Sequence, residues 1–326
     1  MGKMADNLLI KRIIRHEVTP IFSVLVILFA IVGLFAPNFL TFANITSVFQ
    51  NLSITGIVAL GMALVMISGG IDLSVGWMMS LVGSSVAYMM VNMNIHPVTA
   101  ALLGVLLSMA LGTFMGFLIS RTKIEPFIIS LGFMSAYQGI TYIITGAREI
   151  SIERGTFDLL GRTRFFGIGT PVLLFVFMTV FLWLLLKYTR FGRRVYAVGG
   201  NANAAYLAGI NVRNFKMGIY TINGFIVSIA AMTYISRLGT GSPLIGLNME
   251  IDAIAAVVVG GVAMSGGKGN IWGVFIGVVL LAFISNALNL LGVSPFYQYL
   301  LKGSLIVCSV LISYYSGERH KASKSA

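Results

Sequence analysis

The chain has 326 residues, of which 57% are hydrophobic and only 10% charged. That composition lies outside the soluble globular range and specifies an integral membrane protein. The formal net charge of +12 would suggest nucleic-acid binding in a soluble chain, but here Lys and Arg cluster between apolar segments, where they set topology and meet anionic headgroups. The single cysteine, Cys308, excludes an intrachain disulfide and a thiolate cluster, and His16, His96 and His320 have no metal-ligand spacing.

A bilayer-spanning helix needs about 20 apolar residues. That ruler predicts ten spans, at 18–36, 48–68, 74–92, 97–119, 126–146, 168–187, 217–237, 251–266, 270–292 and 296–315. The arm 1–17 bears basic residues and no small-residue cleavage site, so the first span reads as retained rather than as a signal peptide. Between spans one and two, Thr41–Asn51 is too polar to span and reads as a short helix lying along the outer interface. An even span count puts both termini on one side. With the termini in the cytoplasm, sixteen Lys/Arg face that side and five the other, with Lys302 inside a span, which is the asymmetry the positive-inside rule expects.

After span two, Ser68-Gly-Gly-Ile-Asp-Leu-Ser-Val-Gly76 breaks the apolar pattern. Gly69, Gly70 and Gly76 with Asp72 and Ser74 mean irregular backbone at membrane depth, which is tolerated only inside protein or along a water-filled path. Asp72 is expected first to cap the following helix through its carboxylate, and otherwise to border the pathway. Spans four and nine carry Gly112-xxx-Gly116 and Gly273-xxx-Gly277, faces that let helices approach closely within the bundle. The loop 147–167 mixes acids and bases, as suits a solvated outer surface.

The segment 188–216, together with Lys187 at its entry, holds six Lys/Arg and no acid, and so belongs on the cytoplasmic face. Arg190, Arg193 and Arg194 lie near the headgroups, with Gly192 among them; Gly199 precedes Asn201, Asn203, Ala204, Ala205 and Gly209. Asn201–Gly209 is predicted to form a short projecting helix that Gly209 ends in a left-handed conformation. A bulky residue at Ala205 is expected to clash with a docked partner.

A second break, around Glu250 and Asp252, again places Ile-Asp before a glycine-bearing span that ends at Gly260 and Gly261. Its recurrence before spans three and eight of opposite orientation is the pattern of an inverted repeat. Ser265-Gly-Gly-Lys-Gly269 fails the phosphate-loop pattern at Val262 and Gly269, so any ATP must be bound by another chain. Asn286 and Asn289 lie three apart, on one helix face, as further pathway candidates. No His/Asp/Glu cluster or nucleophile–base pair supports a catalytic site.

In order and spacing, Gly69–Gly76, Thr122–Gly132, Arg190–Gly209, Glu250–Gly269 and Leu290–Gly303 resemble the ATP-binding-cassette (ABC) sugar-importer permeases of the ribose, galactose and xylose type. The resemblance covers nearly the whole chain. It implies an all-α polytopic membrane protein of about ten transmembrane helices, with the type II ABC importer permease fold and an inverted repeat, in one domain, 1–326, with a cytoplasmic tail at 316–326. It also implies a permease that imports a pentose or hexose beside a second permease copy, a periplasmic sugar-binding protein and a cytoplasmic ATPase, which would hold ATP and Mg; this chain would bind no cofactor and would touch lipid. The loop containing Asn203-Ala-Ala is similar to the family's ATPase-docking loop, which commonly has Glu where this chain has Asn203. An ion-coupled secondary transporter, which also shows broken helices, is the alternative.

Overall fold

The computed structural model describes residues 19–294, 296–304 and 307. The arm, the tail, His16, His320, Cys308 and the second half of the tenth predicted span lie outside these residues. The chain is helical: α1 (Thr19–Phe35), α2 (Phe42–Ile67), α3 (Val75–Val91), α4 (Pro97–Arg121), α5 (Pro126–Thr145), α6 (Thr170–Tyr188), α7 (Arg190–Gly200), α8 (Ala202–Leu207), α9 (Val212–Leu238), α10 (Met249–Val259) and α11 (Ile271–Leu290). A helical stretch at 296–304 is α12.

Every predicted span has a helix, but of unequal length. Six (α2, α4, α5, α6, α9 and α11) are long and apolar enough to cross a membrane, while α1 and α3 are shorter apolar helices. The interface helix expected at Thr41–Asn51 is instead the first part of α2. Thr41 is its N-cap, accepting from the Asn44 amide at 3.3 Å, so the polar residues form an extra outer stretch of a 26-residue helix.

The two longest helices form the core. In their most apolar stretches, 78% of α2 and 67% of α9 is buried, against 17% of α5. Without a hydrophobic drive between helices in lipid, close van der Waals packing must hold them. A Cβ at Gly112 would overlap the Tyr220 carbonyl, and one at Gly224 the Ser108 carbonyl, whose hydroxyl in turn donates to the Gly224 carbonyl at 2.6 Å. Thus α4 and α9 touch backbone to backbone. Gly273 and Gly277 likewise press on Gly260 and Ala256, so both small faces serve packing inside this chain.

Among the described residues there are also four two-residue strands: β1 (Ile150–Ser151), β2 (Arg164–Phe165), β3 (Ile168–Gly169) and β4 (Thr240–Gly241). The pair β1–β4 clips the loop 147–169 to the segment after α9. Arg162 reinforces the clip, bonding the Arg237 carbonyl at 3.1 Å and pairing with Asp158 at 2.9 Å. At the opposite end of the bundle, Trp183 packs edge-on against Tyr188 and Trp272, and Lys187 sits 4.9 Å from the Trp183 ring. Aromatic rings beside a basic residue mark a membrane interface.

Candidate functional site: two broken helices and a glycine joint

The first break begins where α2 stops. Gly69, at φ +82°, donates to the Met66 carbonyl at 3.0 Å, and Gly70 to the Val65 carbonyl at 3.1 Å. This pair of bonds satisfies the last carbonyls of the helix and needs a left-handed residue, which is why Gly stands at 69. Asp72, fully buried, then accepts from the Ser74 amide at 2.9 Å and hydroxyl at 2.6 Å on one oxygen, and from the Asn223 amide at 2.8 Å on the other. The helix-capping role expected of Asp72 is therefore corrected. Ser74 is the N-cap of α3, without a side-chain cap bond, and the carboxylate organises the turn one residue before it. Ser130 of α5 joins the cluster, accepting from the Leu73 amide at 3.0 Å. A carboxylate at this depth needs both oxygens engaged, and the turn and α9 supply the donors.

The second break, 239–248, runs along α3. Gly241 lies against Ala87, Ile245 against Gly83, and the Gly246 amide donates to the Ser80 hydroxyl at 2.9 Å. At the start of α3 the two breaks touch, since a Cβ on Gly76 would overlap the Gly246 carbonyl and one on Gly246 the Gly76 carbonyl. Glu250 is buried beside this contact, its Oε2 without a hydrogen-bond partner among the described residues. The chain then enters α10, only 11 residues long. Asp252, in its first turn, pairs with Lys302 of α12 at 2.7 Å rather than mirroring the Asp72 cluster.

The helices α7 and α8 close the bundle at one end. Thr189 caps α7, accepting from the Gly192 amide at 3.2 Å, and Gly192, Val195 and Val198 face inward while Arg190, Arg193 and Arg194 are exposed. Asn201 caps α8, accepting from the Ala204 amide at 3.0 Å, and Gly209, at φ +84°, ends it. Ala205 does not face outward as the sequence reading expected. On a six-residue helix the inward position is a single one, and Ala205 takes it at 4% exposure, leaving Asn203, Ala204, Tyr206 (69%) and Leu207 (84%) on the surface.

A joint made of glycine connects this surface to both halves of the bundle. A Cβ on Gly199 would overlap the Ile67 carbonyl at the end of α2, and would come within 2.7 Å of the Gly267 amide. Gly266 and Gly267, at φ +81° and +73°, press on Gly69, Gly199 and Gly200. The Gly267 amide donates to the Ile67 carbonyl at 2.8 Å, and the Tyr196 hydroxyl to the Gly269 carbonyl at 2.9 Å. The α10–α11 turn is itself set by Gly260 and Gly261, the latter at φ +85° with its amide on the Val258 carbonyl at 2.9 Å. The 265–269 segment that failed as a phosphate loop is thus a backbone bearing between α2, α7 and α10.

Sequence reasoning missed Asn223 and Ser130, and it placed Lys302 inside a span without its partner Asp252. Each is polar or charged within an apolar run, and that mismatch was the available signal.

A family described as branched-chain amino acid transport system / permease component matches residues 44–310. The chain belongs to this permease family. It is 42% identical to the ribose import permease RbsC of Bacillus subtilis strain 168, over 88% of this chain and 90% of that one. To the D-allose permease AlsC of Escherichia coli K12 it is 37% identical, over 89% and 90%. To the L-arabinose permease AraH of the same strain it is 36% identical, over 90% and 89%. No solved structure matches. These relatives favour a subunit of an ABC importer over the ion-coupled carrier. The family description names amino acids and the relatives name sugars, so membership alone does not choose the cargo.

Proposed function

We propose that this chain is the membrane subunit of an ATP-driven, binding-protein-dependent importer of a monosaccharide, working as a pair with a second permease copy in the bacterial inner membrane. The three sugars in the relatives' names and the resemblance of the motifs support the cargo. In this reading α1–α6 and α9–α12 are the ten spans, α7 and α8 are cytoplasmic, and both termini lie on the same side as the docking helices. The end bearing α7 and α8 also holds Arg121, Lys123, Lys187, Lys216 and Lys268, as positive-inside topology requires.

Packing supports an inverted repeat of α2–α5 and α9–α12. The pairs α2–α9 and α3–α10 are self-related; α4 packs on α9 as α11 packs on α2, and α3 packs on α9 as α10 packs on α2. The ion pair Asp252–Lys302 links α10 to α12 where α3 meets α5.

The glycine joint is the observation behind the coupling mechanism. An ATPase holding ATP and Mg would grip the exposed face of α8, and a displacement of α7 must push on the ends of α2 and α10 because Gly199, Gly266 and Gly267 leave no slack. Packed backbones switch between discrete arrangements rather than deform. Leu207→Glu tests the docking face. At 84% exposure it should leave the fold intact, yet abolish co-purification with the ATPase and sugar uptake in proteoliposomes. Wild-type co-purification would show that the ATPase binds elsewhere.

A further inference from the structure

At the end of the bundle opposite α7 and α8, a cavity of about 340 Å³ opens between α2, α10, α11 and α12. Its size is at the low end of small-molecule pockets, about 300–1,000 Å³. Part of its wall is fixed. Asn286 and Asn44 exchange both amide bonds at 2.9 Å, the Gln298 amide donates to Asn289 at 2.6 Å, and Lys302 is held on one Asp252 oxygen at 2.7 Å. The last two arrangements leave capacity unused: the second Asp252 oxygen, the Asn289 amide N–H groups, the Gln298 carbonyl, and the remaining Lys302 hydrogens. The side chains of Asn51, Thr55 and Ser285 also line the cavity. Leu52, Ala256, Val278 and Leu281 form an apolar side, and no aromatic ring lines the cavity among the described residues.

We propose that this cavity is a transient binding site for one neutral monosaccharide inside each protomer, the first stop of the sugar after it leaves the binding protein. The inference rests on the importer reading and names a site that reading does not require, since the path could lie wholly between the two copies. Sugar hydroxyls need donors and acceptors in alternation, which amides, hydroxyls and an ion pair provide together. A charged ligand would meet the wrong partner at Asp252 or Lys302, whose charges already neutralise each other, whereas a polyol can bridge both. Without an aromatic platform to stack a sugar face, and with amides that accept hydroxyls in several arrangements, the site holds sugars weakly and with little stereochemical preference. Those are the properties a transit site requires, because tight binding would stall release.

The test uses the permease–ATPase complex in nanodiscs, with Ser285→Cys introduced and Cys308→Ser removing the native thiol. A membrane-impermeant maleimide should label the new thiol, and D-ribose, D-allose and L-arabinose at tens of millimolar should each slow labelling at least threefold. Adding Asn289→Ala with Gln298→Ala should raise the sugar concentration for half-protection three- to tenfold. Both residues lie at the cavity rim, where truncation costs little stability. The proposal is overturned if none of the three sugars protects, if the double alanine variant protects as well as its parent, or if the thiol reacts only after denaturation. Uptake by the complete system in proteoliposomes keeps the two readings apart: uptake without protection removes this site and keeps the importer, and protection without uptake does the reverse.

Discussion

The dipeptide Ile-Asp occurs at 71–72, just before α3, and at 251–252, in the first turn of α10, yet the two carboxylates live in opposite surroundings. Asp72 is sealed, with both oxygens engaged by Ser74 and Asn223 and no exposure. Asp252 is half-buried at the mouth of a polar cavity, with one oxygen on Lys302. The first break is packed shut, and the second adjoins a cavity at the end of the bundle opposite α7 and α8. In the proposed inverted repeat, halves that adopt different packings of related parts could exchange those packings, which is what a two-state transporter needs.

The largest effect should come from the contact that joins the breaks. Gly246→Val places a branched side chain into the Gly76 carbonyl, and overpacking against backbone costs about 1–3 kcal/mol or more. Little monodisperse protein should survive size-exclusion chromatography in detergent. Normal yield and elution would mean that the two breaks separate readily.

Next, Gly199→Ala should spare the exposed docking face but push the Ile67 carbonyl away from α7. Co-purification with the ATPase should persist while uptake falls at least tenfold. Loss of both together would show that the joint only folds the loop.

At Asp72, the neutral amide of Asp72→Asn still accepts from Ser74, and can donate to the Asn223 Oδ1, which has no partner in the native cluster among the described residues. Asp72→Ala leaves the Ser74 amide and the Asn223 amide unpaired in a buried site, at about 1–3 kcal/mol. Thermal unfolding should therefore rank wild type and Asp72→Asn close together, with Asp72→Ala clearly lower. Equal stability of the two variants would remove the Asp72 cluster from the account.

The smallest effect should be that of Asn203→Glu. Asn203 is exposed on α8, so stability should shift by less than about 0.5 kcal/mol, and any change should be confined to ATPase affinity. A fall in melting temperature of several degrees would mean that Asn203 packs against its own chain.

Much of this was legible in the sequence. Apolar length located a helix in each predicted span, and Gly209 announced a left-handed helix end because few other residues adopt that backbone, whereas α7 lies in the basic loop and was not foreseen. Three things were not legible. Thr41–Asn51 looked interfacial because residue-by-residue polarity cannot show that a helix continues past the apolar core. The direction Ala205 faces depends on a six-residue helix whose register follows from the Asn201 cap rather than from any periodicity. The Asp72–Asn223 bond and the glycine joint join residues more than 60 positions apart, and one sequence gives no signal for which polar residues in different spans meet.

The most direct test of the asymmetry between the halves is aqueous access to a single thiol on each side, in the nucleotide-free complex lacking Cys308. Thr55→Cys reports the open half, where Thr55 lines the cavity. Ser130→Cys reports the closed half, where Ser130 is fully buried against the Asp72 turn. A small impermeant maleimide should label the first within minutes and the second at least a hundredfold more slowly. Equal rates, or faster labelling at position 130, would contradict an account in which one half is sealed while the other is open.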